Sequence, residues 1–182
     1  GNEGDFPLYF VQIAPYPDGG DLRNSAALRD AQRRSLATPN SGMVVTLDIG
    51  NPENIHPANK QEVGRRLSLW ALAKTYGEKN VICSGPLFRA LAIEGDNAVV
   101  SFDHTEGGLV ARGGHLDWFE IAGEDGNFVP AQAVISGNTV VVSAAGVAHP
   151  AAVRYAWKDT AEPNLFNGAG LPASTFTTTD LR

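Results

Sequence analysis

The sequence predicts a fold in two parts, a parallel α/β unit followed by an antiparallel β-sandwich. Residues 6–77 alternate strand-like and helix-like segments with short connections, which is the pattern of a parallel sheet covered by helices. After that stretch the segments become short, strand-like and separated by turn residues, as in antiparallel sandwiches. We therefore expect two domains, residues 1–83 and residues 84–182, the second ending in an irregular tail from residue 162.

The first region contains two strands and two helices. Residues 6–14 and 43–49 are near-continuous apolar runs, which indicates strands buried on both faces. Residues 22–37 and 59–76 carry apolar side chains at helical spacing, and Gly77 follows as a left-handed end residue. Two parallel strands are too few for an independent sheet, so this unit is expected to be truncated at its N-terminus. Either another chain completes it, or the second region covers it.

The second region is expected to contain about six strands joined by tight turns. The segments are residues 91–94, 98–102, 118–122, 128–135, 139–143 and 152–157. A further short apolar strand is expected at residues 81–84, where Cys83 would be a small buried side chain.

Composition excludes several classes of function. A net charge of −6 and a pI near 5.1 argue against nucleic-acid binding, which needs clustered basic residues. The tightest basic cluster, Arg29, Arg33 and Arg34, is expected to be a solvated helix face. One cysteine excludes an internal disulfide and a Cys-rich metal site. The sequence has no apolar run of about 18 residues for a membrane span, and no secretion signal within it.

The loop at residues 50–57 is the most informative candidate site. It follows the second strand, and ligands of parallel sheets bind outside the carboxyl ends of the strands. His56 lies in this loop, and an imidazole with a pKa of about 6.5 can take and return a proton at neutral pH. From the residues alone, a structural histidine stays the commoner interpretation. Gln12, at the end of the first strand, either reaches the same rim or bonds neighbouring backbone.

Other candidates are weaker. His104, His115 and His149 lie in turns and lack metal-ligand spacing, so no metal site is expected. The aromatic residues Trp118, Tyr155 and Trp157 either form a sugar-stacking surface or, as their alternation favours, belong to the core.

Several motifs together resemble the C-terminal part of bacterial sialate O-acetylesterases, a family of the SGNH hydrolase superfamily. The hydrolase-domain motifs are FPLYFVQIAPY at 6–16, LRDAQR at 28–33, GMVVTLDIG at 42–50 and IHPANKQEVGRRL at 55–67. Those similar to the family's C-terminal β region are SGPLF at 84–88, SFDHTEGGL at 101–109, FEIAG at 119–123, VRYAW at 153–157, NLFN at 164–167 and GLPA at 170–173. The match runs in order along the whole chain, and it implies a partial flavodoxin-like sheet before the sandwich.

The resemblance implies a carboxylic ester hydrolase that removes acetyl groups from sialic acid or related glycans without a cofactor. His56 would deprotonate the serine nucleophile. Glu53 stands three residues earlier, where many SGNH enzymes have an aspartate, and is the candidate acid of the triad. Asn54 and Gln12 are candidate substrate-binding residues. Relatives of this kind imply a bacterial protein that is periplasmic or secreted.

The sequence departs from the family pattern in one respect that limits the activity. It has no Gly-Gln-Ser-Asn-like nucleophile motif, no Gly-x-Ser-x-Gly and no Gly-Asp-Ser. This chain alone is therefore expected to be inactive, with the serine in a missing N-terminal segment of the same protein. Two alternatives stay open: a non-catalytic carbohydrate-binding or accessory β-sandwich module, or an acetyl xylan esterase-type activity on plant glycans.

Overall fold

The computed structural model describes residues 4, 6–17 and 24–180, and these are mostly β with few helices. The helices are α1 (Asn24–Arg34), followed by a 3₁₀ turn (Ser35–Ala37), and α2 (Lys60–Trp70), followed by a π turn (Ala71–Thr75). The strands are β1 (Leu8–Val11), β2 (Ser41–Val44), β3 (Leu87–Glu94), β4 (Asn97–Asp103), β5 (Leu109–Ala111), β6 (Phe119–Gly123), β7 (Val129–Pro130), β8 (Gln132–Ser136), β9 (Thr139–Ser143), β10 (Pro150–Tyr155), β11 (Leu165–Asn167) and β12 (Phe176–Thr177). None of the helices in these residues is long and apolar enough to cross a membrane.

β1 and β2 form a parallel pair, as the alternating pattern predicts. β2 is buried, whereas Leu8 and Val11 of β1 are 57% and 36% exposed, so the prediction that β1 is buried on both faces is wrong for the described residues. Helix α2 packs on β2 with the Trp70 ring directly against Gly42. The contact needs a glycine, because a Cβ at this position would lie 2.4 Å from the ring. The Trp70 indole N–H also donates to the carbonyl oxygen of Met43 at 3.0 Å.

Helix α2 begins and ends where side chains and backbone satisfy its terminal groups. The Asn59 side chain accepts a hydrogen bond from the Glu62 amide at 3.1 Å, which caps the N-terminus. After the π turn, Gly77 has a φ of 74°, the left-handed conformation predicted for it. For the first helix, the predicted residues 22 and 23 lie outside the described residues, and α1 is observed from Asn24.

The rest of the chain forms antiparallel sheets. One four-stranded sheet has the order β3-β4-β9-β8, a second has the order β12-β10-β6-β7, and β11 pairs with β5. Val100 and Val140 of the first sheet share a fully buried core with Ile121 and Val153 of the second. Leu47, which follows β2, belongs to the same core, so the parallel pair is anchored to the antiparallel sheets.

Two further predictions, one at the boundary of the two regions and one in the tail, are wrong. Residues 81–84 form no strand, although Cys83 is buried and burial raises the pKa of its thiol. The tail is not irregular throughout, because it contains β11 and β12 and residues 171–177 are all buried. Phe176 is the physical reason, since its ring stacks on Phe88 at 4.8 Å between centroids and is fully buried.

The basic cluster on α1 is not a solvated face, which corrects the prediction made from its charges. Arg29 and Asp30 are fully buried, and only Arg34 is substantially exposed, at 39% of its side chain. Arg29 donates to the Thr175 hydroxyl at 3.0 Å and to the Lys158 carbonyl at 2.5 Å. Because α1 packs against β12, Arg29 can donate to the Lys158 carbonyl, which lies in a loop and has no strand partner among the described residues.

Candidate functional site

His56 lies on the surface, in the loop that runs from β2 to α2. Two asparagine side chains shape this loop by accepting hydrogen bonds from amides two residues further on. The Asn51 side chain accepts from the Glu53 amide at 2.9 Å, and the Asn54 side chain accepts from the His56 amide at 2.9 Å. These two turns fix the backbone that leads into His56, and the residue itself is exposed.

Three of the four predicted site residues lie in this loop. Glu53, Asn54 and His56 are all exposed there. Among the described residues, neither Glu53 nor another carboxylate pairs with the His56 imidazole. The role of Glu53 as triad acid stays a prediction.

Gln12 lies in the interior instead of on the surface. It is 1% exposed, and its side-chain amide donates to the Arg29 carbonyl at 2.9 Å and the Ser174 hydroxyl at 2.8 Å. The amide oxygen of Gln12 finds no partner in the described part of the chain. These contacts fit the alternative interpretation, in which Gln12 bonds its neighbours, and a role in substrate binding stays a prediction.

Arg66 anchors the start of the His56 loop to α2, and the sequence patterns gave no sign of it. Its guanidinium donates to both carboxylate oxygens of Asp48 and to the Val45 carbonyl, each at 2.7 Å. A fourth hydrogen bond, also 2.7 Å, joins it to Glu62. Burial lowers the pKa of Arg66, but Asp48 and Glu62 raise it by more, so the net change is upward and the charge is kept.

The same loop contacts the end of β1 and opens onto a cleft. A Cβ on Gly50 would lie 2.4 Å from the ring of Pro15, so the carboxyl ends of the two parallel strands are closely packed. Beside Asp48 and Gly50 lies a cleft of about 270 Å³, which we call the loop cleft. Its lining residues are Leu47, Asp48, Gly50, Arg112, Glu162, Pro163, Asn164 and Phe166.

His104 and His115 lie in loops between strands and contact neighbouring residues. The His104 carbonyl accepts from the buried Asn167 side chain at 3.0 Å, and its φ of 60° places it in a turn. The His115 imidazole lies 3.0 Å from the Asp117 carboxylate at an exposed position. The described residues hold no group of three or more His, Cys, Asp or Glu side chains that could bind a metal ion.

The ion pairs of Glu62 predict a pH-dependent contribution to stability. The two hydrogen bonds from Arg65, together with the one from Arg66, lower the pKa of Glu62 from 4.5 to about 2. Because the folded pKa is the lower one, the contribution is present above pH 4.5 and is lost as the pH falls through about 2. We expect Glu62→Gln to lower the free energy of unfolding at pH 7 by about 1 kcal/mol, since part of the pair is exposed to solvent.

Urea unfolding at a series of pH values checks this expectation. The difference between Glu62→Gln and the wild-type chain should shrink as the pH falls from 4.5 toward 2. Glu94→Gln, at an exposed position on β3, is the matched control and should change the free energy of unfolding little at any pH in the series. A difference for Glu62→Gln that stays constant across this range would contradict the assignment.

Comparison with known proteins gives consistent matches, although no family model matches the chain. The sialate O-acetylesterase of Rattus norvegicus is 30% identical over 172 residues, which are 84% of this chain and 31% of that protein. That of Mus musculus is 31% identical over 116 residues, 56% of this chain and 21% of that protein. The crystal structure of a novel carbohydrate acetylesterase from Xanthomonas citri superposes with a TM-score of 0.91 and 43% identity, covering 96% of this chain and 41% of that one.

Both comparisons lead to proteins of one class, the acetylesterases. Within that class, the chain belongs to the sialate O-acetylesterase family, which confirms the resemblance found in its motifs. The chain spans about a third or less of the length of these two curated relatives, and less than half of the solved one.

Proposed function

We propose that this chain is the histidine-bearing, C-terminal portion of a carbohydrate O-acetylesterase. The observation that carries the proposal is the position of His56, which is exposed in the loop that follows the second strand of the parallel pair and is preceded by a hydrogen-bonded turn. The names of the relatives support the acetyl ester and the carbohydrate as substrate. We take the substrate to be O-acetylated sialic acid or another acetylated glycan, and the antiparallel half to be the family's β-sandwich.

In this proposal the reaction is a two-step acyl transfer. His56 accepts the proton of a serine hydroxyl as the serine oxygen attacks the acetyl carbonyl carbon. The ester bond to the sugar then breaks, and the imidazolium returns the proton to the departing sugar oxygen. In the second step His56 takes a proton from water as the water oxygen attacks the acetyl-serine. It then returns that proton to the serine oxygen as acetate is released. Glu53, or a carboxylate outside these residues, would orient the imidazole through its second nitrogen.

The serine in this proposal comes from a segment outside the chain, and the exposed side chains in and before β1 support that. Phe6, Leu8 and Val11 are 73%, 57% and 36% exposed, although parallel strands are normally covered on both faces. In the described residues β1 pairs only with β2, so its other edge has free amide and carbonyl groups. We propose that the remaining parallel strands of an SGNH hydrolase sheet add to this edge and carry the nucleophile to the His56 loop.

A chimera tests the proposal. In the chimeric esterase, this chain replaces the matching 41% of the Xanthomonas citri acetylesterase, with which it shares 43% identity. We expect the chimera to hydrolyse p-nitrophenyl acetate and to release acetate from an acetylated glycan. The isolated 182-residue chain should give no turnover above the blank. Turnover by the isolated chain would mean that a nucleophile lies within it, and a folded but inactive chimera would contradict the esterase assignment.

A further inference from the structure

A second cleft of about 270 Å³ lies where β6 begins and β10 ends, and we call it the tryptophan cleft. Its lining includes the half-buried indoles of Trp118 and Trp157 and the charged residues Asp117, Glu120 and Lys158. Its volume is just below the range of about 300–1,000 Å³ in which drug-sized ligands bind. A single ring of sugar size fits such a space better than a large ligand does.

The backbone at this cleft leaves the ordinary strand geometry. The ladder of β6 and β10 ends at the pair Phe119 and Tyr155. The next pair, Trp118 and Ala156, has φ values of 68° and 53°, and the Ala156 amide donates to the Trp118 carbonyl at 2.9 Å. Residues other than glycine adopt this left-handed conformation rarely, and such strain concentrates at binding sites. The left-handed Ala156 breaks the alternation of inward and outward side chains along β10, so Tyr155 is buried whereas Trp157, two residues later, lines the cleft.

The polar groups of the cleft suit an uncharged ligand with many hydroxyl groups. The Lys158 ammonium lies 5.9 Å from the centre of the Trp118 ring and has no ion-pair partner among the described residues. The Asp117 side chain is 50% exposed, and Glu120 is already paired with Arg154 at 2.7 Å. Among the described lining residues, Lys158 and Asp117 carry opposite charges and the charge of Glu120 is offset by Arg154, so the cleft is near neutrality. Sugar hydroxyls both donate and accept hydrogen bonds, and the C–H face of a sugar ring packs on an indole.

We propose that the tryptophan cleft is a subsite for a neutral pyranose ring of the glycan that carries the acetyl ester; this inference rests on the proposed esterase function. Asn164 connects it to the loop cleft, because Asn164 lines that cleft and its side-chain amide donates to the Asp117 carboxylate of the tryptophan cleft at 3.3 Å. The Asp117 amide donates to the Asn164 side-chain oxygen at 3.0 Å. A glycan ring held by the indoles thus lies next to the cleft beside the His56 loop.

Ligand-detected NMR titration of the 182-residue chain with xylohexaose, a neutral oligosaccharide, tests the subsite. We expect saturating binding, and about tenfold weaker binding for Trp157→Ala, which removes a stacking face. Tyr76→Ala removes a 74% exposed aromatic ring outside the cleft and should bind as the wild type does. Lys158→Met keeps both indoles and should weaken binding about threefold by removing one donor.

The xylohexaose titration can contradict the proposed subsite in several ways. No binding by the wild-type chain up to about 10 mM would overturn the proposal, as would wild-type affinity in both cleft variants. If Trp157→Ala does not fold, by the dispersion of its amide spectrum, Lys158→Met decides. Tighter binding of free sialic acid, an acidic sugar with no neutral ring, than of xylohexaose would overturn the assignment of a neutral ring.

This test is independent of the esterase test. His56→Ala should bind xylohexaose as the wild type does, because His56 is not among the residues that line the tryptophan cleft. If the chain binds xylohexaose through Trp157 but the chimera is inactive, the esterase function is overturned and the sugar-binding cleft is kept. If the chimera is active but the chain does not bind xylohexaose, the sugar-binding cleft is overturned and the esterase function is kept.

Discussion

His56→Ala in the chimeric esterase is expected to lower kcat for p-nitrophenyl acetate at least about a thousandfold, with KM little changed. The imidazole would take the proton from the serine and, in the second step, from the attacking water, and no other described histidine lies in the β2–α2 loop. Without that base, the serine hydroxyl is a weak nucleophile at neutral pH. Initial rates over a range of substrate concentrations separate kcat from KM.

His149→Ala is the matched control for this prediction. His149 is also an exposed loop histidine, but it lines a different cleft, formed by residues 123–129 and 145–149. The control should keep kcat within about twofold of the unmodified chimera, because it leaves the proton-transfer step untouched. Equal losses in both variants would indicate a general effect on folding. A His56→Ala chimera that keeps its activity would rule out His56 as the base.

The side chains next to His56 should have smaller effects. Glu53→Gln removes a charge that can orient the imidazole, but the described residues show no bond between the two. Asn54→Ala removes the hydrogen bond to the His56 amide and so loosens the loop without removing a reacting group. A loss for Glu53→Gln as large as that for His56→Ala would establish Glu53 as the acid of the triad.

Local patterns predicted the parts of the fold that depend on local forces. The parallel pair, helix α2 and the left-handed Gly77 follow from apolar spacing and from helix-end chemistry. The loop that carries His56 was predictable for the same reason, since a polar segment after an apolar strand starts a loop at the edge where ligands bind, and its role as a site stays a prediction. The exposure of Leu8 and Val11 in β1 was not predictable, because it depends on what packs beside the strand.

Long-range packing explains the predictions that are wrong. The C-terminal tail has a loop-like composition, yet Phe176 is fully buried, and no pattern within the tail shows that partner. A helix with three arginines and an aspartate suggests a solvated surface, but Arg29 contacts groups more than a hundred positions away. At Trp157, a left-handed Ala156 breaks an alternation that the sequence shows as regular.

Arg29→Met is expected to lower the free energy of unfolding by about 3–5 kcal/mol, the largest effect on stability that we expect. Arg29 is fully buried, and burial lowers the pKa of its guanidinium to about 10, with Asp159 partly offsetting that change. Methionine fills much of the volume but supplies no donor to the Lys158 carbonyl or the Thr175 hydroxyl. It also leaves the buried Asp159 carboxylate without its nearby cation. Urea denaturation followed by circular dichroism measures the change.

Two further variants separate the buried charge from a general effect of losing an arginine. Arg89→Met removes a 68% exposed side chain, 3.9 Å from Asp103, and should cost less than about 1 kcal/mol. Asp159→Asn keeps the oxygen that accepts from the Ser25 and Ala26 amides at the start of α1, while removing the charge. If the buried charge carries the cost, Arg29→Met with Asp159→Asn should be about 1–2 kcal/mol more stable than the sum of the single changes predicts. Additive losses would show instead that the missing hydrogen bonds to Lys158 and Thr175 carry it.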